Sequence, residues 1–344
     1  MSDTIKSYQN QIKSIQESDP VRLYNPRKKP PKIHFDNYIN FNGDQNSLVS
    51  RVGDGAIIKR FDKTPIPEKS NDVVCPHFLE LKWAYGCPFK CAWCYLQGTF
   101  RFLKTKTQPV IKERSLVENA IMSFFECNSP PEMLNTGEVG DSLMEEGSNP
   151  FTKFAIQLFE EQNRHKILFL TKSDKIHHLL EIPDHKQTVI SFSVNSNLVA
   201  EKWEVGAPSI EKRLSAAKNL YDSGYEVRLR IDPIVPIVGW ETAYKELIDK
   251  ILEGFNPARI TLGSLRGLQS TINNSRDRSW VEYLGERSNW GRKVAFKTRL
   301  ENFSCIRDYL CDYGYTNLGL CKETIEMWDA LNMNWKNIKC NCNF

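Results

Sequence analysis

From about residue 76 the chain alternates short apolar runs with amphipathic stretches, and this alternation constrains its fold more than any other feature. The runs read as strands over Leu79–Trp83, Pro131–Asn135, Lys166–Thr171, Thr188–Val194, Glu226–Ile231 and Ala258–Leu262. Between them, apolar residues recur at helical spacing over Ser115–Phe125, Pro150–Gln162, Ser209–Ser223 (closed by Gly224) and Thr242–Leu252. A further helix starts at Asp174, capped by Ser173 or Asp174 itself. Repeated strand–helix units lay their strands parallel, because each helix carries the chain back to the same end of the sheet. The chain offers six such units, fewer than the eight that close a barrel. The expected fold is therefore α/β: a partial (β/α)6 TIM-type barrel over residues 76–265. Residues 1–75 form an N-terminal extension, partly irregular, and 266–344 a small Cys-rich C-terminal subdomain. Ligands are expected at the C-terminal ends of the strands.

The formal net charge of +4 permits an anionic partner such as nucleic acid without requiring one. Ten cysteines follow a polar start, Met1–Lys6, and no apolar run approaches bilayer length. These features fit a reducing cytoplasm and no membrane partner better than a secreted disulfide scaffold. The stretch Asn25–Lys32 mixes prolines with four cations and reads as an extended, solvated linker.

The first strand runs directly into Cys87-Pro-Phe-Lys-Cys91-Ala-Trp-Cys94. Three thiolates this close hold three irons of a [4Fe–4S] cube and leave the fourth iron open for a ligand. A zinc knuckle is the alternative, but zinc wants a fourth ligand, and only His77 lies within reach along the chain. Other strand ends carry polar groups: Gly137 and Glu138, Lys172, Ser193 and Asn195, and Asp232, with Arg213 on the helix after the fourth strand. Taken singly these are a turn, a solvated lysine and a surface ion pair. Only their common position at strand ends argues for a site.

The spacing C-x3-C-x2-C, with Trp93 before the last cysteine, resembles the signature of the radical S-adenosylmethionine superfamily. That resemblance implies S-adenosylmethionine on the open iron and a 5′-deoxyadenosyl radical formed by an electron from the cluster. It also implies a cytoplasmic reductant such as flavodoxin or ferredoxin. By the same resemblance, Trp93 lies beside the cofactor and Glu138 accepts its amino group, with Gly137 letting the backbone come close. Lys172 and Arg213 meet its carboxylate, Ser193 and Asn195 its ribose, and Asp232 faces the adenosyl group or substrate.

Separated matches narrow the likeness. Cys94-Tyr-Leu-Gln97, Phe169-Leu-Thr-Lys172, Ile176–Leu180, Ser191–Asn195, Trp203–Ser209, Lys212-Arg213, Gly239-Trp240-Glu241 and Trp290-Gly-Arg292 resemble the spore photoproduct lyases. This implies a nucleic-acid or nucleobase substrate such as DNA, Tyr95 as an electron or hydrogen relay, and Arg287 at the substrate. Three departures stand out. The lyases' hydrogen-donor Cys after strand two is replaced by Asn135 or Thr136, leaving Cys75 or Cys127 as substitutes. Trp93 replaces a tyrosine, and Ser288 stands where an aromatic is expected.

Half of the cysteines lie in the last 40 residues: Cys305, Cys311, Cys321, Cys340 and Cys342. Cys321, Cys340 and Cys342 are expected to hold a second iron–sulfur cluster or zinc, with Cys305 or Cys311 as the fourth ligand. The leading expectation is hydrogen abstraction from a nucleic-acid-type substrate. The alternatives are a radical enzyme acting on a peptide or small metabolite, and a non-catalytic nucleic-acid-binding protein with a structural metal.

Overall fold

A computed structural model describes residues 29–145 and 149–344. Residues 25–28 of the basic, proline-rich stretch lie outside the described residues. A ten-stranded mixed sheet organises the molecule. Its strands are β1 (Ile33–Ile39), β2 (Gln45–Val52), β3 (Ile58–Phe61), β4 (Phe78–Leu81) and β5 (Met133–Asn135). They continue with β6 (Lys166–Thr171), β7 (Thr188–Val194), β8 (Glu226–Ile234), β9 (Arg259–Ser264) and β10 (Leu318–Leu320). Their order across the sheet follows their order in the chain.

From β4 to β10 every pairing is parallel. Helices make the returns: Arg114–Glu126, Phe151–Glu160, His177–Leu180, Ile210–Asp222, Trp240–Gly254 and Phe296–Asp312. Strands covered on both faces should be apolar or small throughout, and β7 is, with all seven residues of TVISFSV buried. Ile190, Phe192, Leu229, Ile231 and Ile260 join Phe124, Phe154 and Ile248 from the helices in one continuous core.

Three expectations are corrected. The parallel set has seven strands rather than six, because β10 closes the series beside β9. Its three residues, LGL, were too short to read. Within the N-terminal extension, residues 33–61 carry regular strands that sequence reading did not place: β1, β2 and β3 pair antiparallel and join the sheet through β4. β1 is mostly exposed, with only three of its residues half-buried and none buried, so no apolar alternation marked it. The helix expected from Asp174 is a single turn, His177–Leu180, stopped before Pro183.

The chain beyond residue 265 returns to the same sheet. Arg266–Gly267, Glu286–Ser288 and Gly291–Lys293 first form a small antiparallel sheet. After β10, the final residues run along β7, β8 and β9. Asn341 Nδ2 donates to Ser191 Oγ and to the Leu229 carbonyl, both at 2.8 Å, and Asn341 Oδ1 accepts from Thr261 Oγ1 at 2.7 Å. Arg228 and Arg259 donate to the carbonyls of Asn341, Cys340 and Asn343. Each bond satisfies a buried main-chain or amide group that would otherwise carry a desolvation cost. The tail is therefore part of the core.

Candidate active site

The C-terminal ends of β4 to β10 open on one cavity of about 360 Å³. Cys87, Cys91 and Cys94 line one wall. Their loop is held by its backbone: Cys87 N donates to the Thr107 carbonyl, Lys90 N to Val205 and Ala92 N to Trp203, each at 2.8 Å. Gln97 Nε2 ties Cys91 O and Ala92 O at 3.1 and 2.9 Å, which fixes the turn between the last two thiols. Burial pushes the Cys91 thiol up to about 12 and raises Cys87 and Cys94 as well. Buried thiols of this kind become thiolates when a metal supplies the compensating charge.

Facing them, the turn after β5 is built by Asn135. Its Oδ1 accepts from Gly137 N at 2.9 Å, and its Nδ2 donates to Glu138 Oε1 at 3.0 Å. Gly137 is required by packing, since a Cβ there would stand 2.5 Å from Leu170 Cβ and 2.9 Å from Leu170 O. Gly137→Ala is expected to destabilise the protein by about 1–3 kcal/mol through overpacking, read by urea unfolding. Glu138 lines the cavity, and its carbonyl and Oε2 accept from Tyr95 Oη. Tyr95 keeps 41% of its surface accessible and lines the cavity. Desolvation and the Glu138 carboxylate hold its phenol well above the usual range.

Lys172 also lines the cavity. Burial alone would lower its ammonium pKa, but Glu204 and Cys91 outweigh burial and raise it. Glu204 Oε1 sits 3.5 Å from Lys172 Nζ, and Glu204 Oε2 accepts from Arg213 Nη1. Arg213 is one expected contact that the structure does not bring to the cavity wall. It is 1% exposed, and its remaining bonds go to Pro208 O at 2.8 Å and Ser193 O at 3.2 Å. Its place is behind the site, holding Glu204 and the end of β7. Asn195 is likewise behind the wall, donating to Pro233 O and accepting from Tyr244 Oη, both at 2.8 Å. Ser193 and Trp93 do line the cavity.

Asp232 faces the cavity but is locked. Arg266 grips it with both nitrogens, at 2.9 and 3.0 Å, and Arg230 lies 3.7 Å away. Burial would raise its pKa, yet Arg266 and Arg230 hold the carboxyl well below the usual range. It therefore anchors two cations and is not a proton donor near neutral pH. Arg287 is exposed on the hairpin Glu286–Lys293, away from the cavity lining, while Trp290 of the same hairpin reaches the wall.

Sequence reasoning missed several charged wall residues, among them Glu80, Asp141, Arg230 and Arg266. Asp141 accepts from Thr171 Oγ1 and Lys172 N at 2.7 Å each and so fixes the strand end that carries Lys172. Position signalled Arg230, two residues before Asp232 on the same face of β8. Nothing local signalled the others. Among the tail thiols, Cys321, Cys340 and Cys342 are buried on the cavity wall. Cys311 is exposed, and Cys305 lies on the Phe296–Asp312 helix beside Glu241 and Lys245. Neither is a cavity residue.

The residues fit an iron–sulfur group with a small polar ligand. The three loop thiols converge on free volume, and Arg230 Nε is buried at that cavity without a hydrogen-bond partner. Among the described residues, no three His, Cys, Asp or Glu groups converge as a single metal ion needs.

A family model described as spore photoproduct lyase matches residues 79–262. Spore photoproduct lyase of Bacillus subtilis (strain 168) is 26% identical over 191 residues, covering 50% of each chain. That of Geobacillus sp. (strain Y412MC61) is 28% identical over 193 residues, covering 52% of this chain and 53% of its own. The chain spans about half the length of the curated relatives it matches. The solved spore photoproduct lyase complexed with dinucleoside spore photoproduct superposes with TM-score 0.59 at 22% identity, over 70% of this chain and 75% of that one. SuiB of Streptococcus suis, bound to precursor peptide SuiA, gives TM-score 0.50 at 14% identity, over 74% and 50%. At these identities the two structures speak for a shared fold. The matched segment carries the cysteine loop, β4 to β8 and most of β9, and it exceeds half of the 344 residues: the chain belongs to the spore photoproduct lyase family.

Proposed function

We propose that this protein is a radical S-adenosylmethionine enzyme acting on a nucleic-acid or nucleobase-type substrate. One observation carries the reading: three loop thiols face Glu138, Lys172 and Ser193 across a single cavity at the strand ends. A [4Fe–4S] cluster held by Cys87, Cys91 and Cys94, with S-adenosylmethionine bound, would supply a 5′-deoxyadenosyl radical for hydrogen-atom abstraction. The chain's own groups would do the positioning. Glu138 would accept from the cofactor's ammonium, the bare backbone at Gly137 would let it approach, and Lys172 would pair with its carboxylate. Ser193 would bond the ribose and Trp93 would pack beside it. Asn195 and Arg213 act from behind, holding the ends of β7 and β8 in place.

Tyr95 is the relay residue, because its hydroxyl already touches Glu138 inside the cavity. Asp232 sets Arg230 and Arg266 as a cationic wall suited to an anionic substrate. Nucleic acid is favoured by family membership, by that wall and by the exposed Arg287 on its hairpin. The fold carrying this chemistry is a partial barrel of seven parallel strands, β4 to β10, so the chain beyond residue 265 supplies both its last strand and the substrate-side wall. A flavodoxin or ferredoxin in the cytoplasm would deliver the electron. No helix among the described residues is long and apolar enough to cross a membrane. The reading extends to a second metal group, iron–sulfur or zinc, on Cys321, Cys340 and Cys342.

Anaerobically reconstituted, dithionite-reduced protein is expected to convert S-adenosylmethionine to 5′-deoxyadenosine. A reconstituted protein that releases none overturns the assignment. DNA binding is expected to weaken with salt, and Arg287→Ala to lower the log–log salt slope by about 0.9, the loss of one phosphate contact. An unchanged slope would remove Arg287 from the interface.

A further inference from the structure

We infer that Cys75, Cys321, Cys340 and Cys342 form a four-thiolate site for a second iron–sulfur cluster in the wall of the same cavity. The inference builds on the proposed second metal group and is independent of the first cluster. Sequence spacing pointed to Cys305 or Cys311 as the fourth ligand, and the fold replaces both with a residue 230 positions before them in the case of Cys305.

The placement follows from the fold. Val73–Val74 pairs antiparallel with Glu323–Thr324, which sets Cys75 beside Cys321 at the end of β10. The last residues, tied to β7, β8 and β9 through Asn341, bring Cys340 and Cys342 to the same wall. Gly319 is needed for this approach, since a Cβ there would lie 2.3 Å from the Lys339 carbonyl oxygen. Cys75, Cys321, Cys340 and Cys342 all line that one cavity. The chain thus gathers four buried or half-buried free thiols from three distant segments on one wall.

The surroundings suit thiolates. Arg230 Nη2 donates to Cys321 Sγ at 3.0 Å and Arg266 Nη2 at 3.4 Å. Lys322 Nζ stands 3.3 Å from Cys75 Sγ, and Asn135 Nδ2 3.6 Å from Cys342 Sγ. A metal-bound set of four thiolates carries net negative charge, and three cations already face it. Each thiol gives up its proton on ligation. With four protein ligands the cluster has no open iron, so it differs in kind from the three-thiol loop opposite it.

Full-length protein reconstituted anaerobically with iron and sulfide is expected to hold about eight irons. Cys75→Ser and Cys342→Ser should each fall to about four, while Cys305→Ser and Cys311→Ser keep about eight. A variant with Cys87, Cys91 and Cys94 all replaced by serine leaves the tetrad whole and guards against misfolding of the tail variants. It should retain about four irons and, when reduced, an electron paramagnetic resonance signal that S-adenosylmethionine does not shift. Retention of iron by Cys75→Ser, loss of the signal in the triple variant, or zinc in place of the second four irons would each overturn the inference. Absence of 5′-deoxyadenosine with this signal intact would sink the proposed activity alone.

Discussion

Cys91→Ala is expected to remove the loop cluster and with it the formation of 5′-deoxyadenosine, by more than the roughly 100-fold that loss of a group merely supporting a metal ligand costs. Cys91 is 7% exposed, and its neighbours cannot replace it: the loop is pinned through Ala92 to Trp203 and through Gln97 to its own turn. Two thiolates at the spacing of Cys87 and Cys94 leave two irons of a cube without protein ligands. Iron content, the visible charge-transfer absorbance and product release should fall together, while Cys305→Ala leaves all three unchanged. Activity surviving in Cys91→Ala would show that the loop is not the radical-generating site.

Glu323→Ala is expected to be strongly destabilising, by about 3–5 kcal/mol, because it strips a buried ion cluster of the carboxylate that joins Lys293 to Arg299, leaving Lys293 unpaired and Arg299 with only the half-buried Glu286. Glu323, Lys293 and Arg299 all have side chains of 0% exposure. Glu323 Oε1 lies 3.1 Å from Lys293 Nζ, and Oε2 accepts from Arg299. Burial would raise its pKa, but the two cations outweigh burial and lower it. Lys293 is pulled down to about 8, chiefly by burial. The Glu323 contribution is therefore fully present above the unfolded carboxylate pKa of about 4.3 and fades as pH falls through the lower folded value. Denaturant unfolding should show the loss at pH 7 and a narrowing gap between wild type and variant in acid. A variant within about 0.5 kcal/mol of wild type, the range of ordinary surface substitutions, would show that the cluster contributes nothing. Because Glu323–Thr324 pairs with Val73–Val74, the same variant should also lower the iron retained by the tetrad.

What was legible in the sequence had local causes. KILFLT and TVISFSV read as strands because burial on both faces demands unbroken apolar or small residues, and both bounds were met. The cysteine loop read as a cluster site because its three ligands lie within eight residues of chain. Gly137 and Glu138 were given a cofactor role by the family resemblance, and their strand-end position does bring both to the cavity. Asn195 and Arg213 were assigned by the same rule and fall one layer behind. A strand end fixes where a residue sits, whereas the choice between cavity and support depends on which partners stand nearby. For Arg213 the partner is Glu204, nine positions back on the loop that closes over the helix start.

Where ligands are far apart in sequence, the sequence was silent. Cys75 reads as an isolated thiol, and Arg266 as one more cation after a strand. Each gains its meaning from pairings across the chain: Val74 with Glu323, and Asp232 with Arg266. By itself the sequence determined the parallel α/β core and the cysteine loop, because these rest on periodicity and short spacing, and its separated motif matches carried the family resemblance. Only the tertiary structure decided that the N-terminal strands and the C-terminal tail join the same sheet. It alone made the tail thiols cavity residues and left Asp232 a bound counter-ion. The reason is physical: burial and charge pairing are set by which distant segments meet, and no local pattern records that.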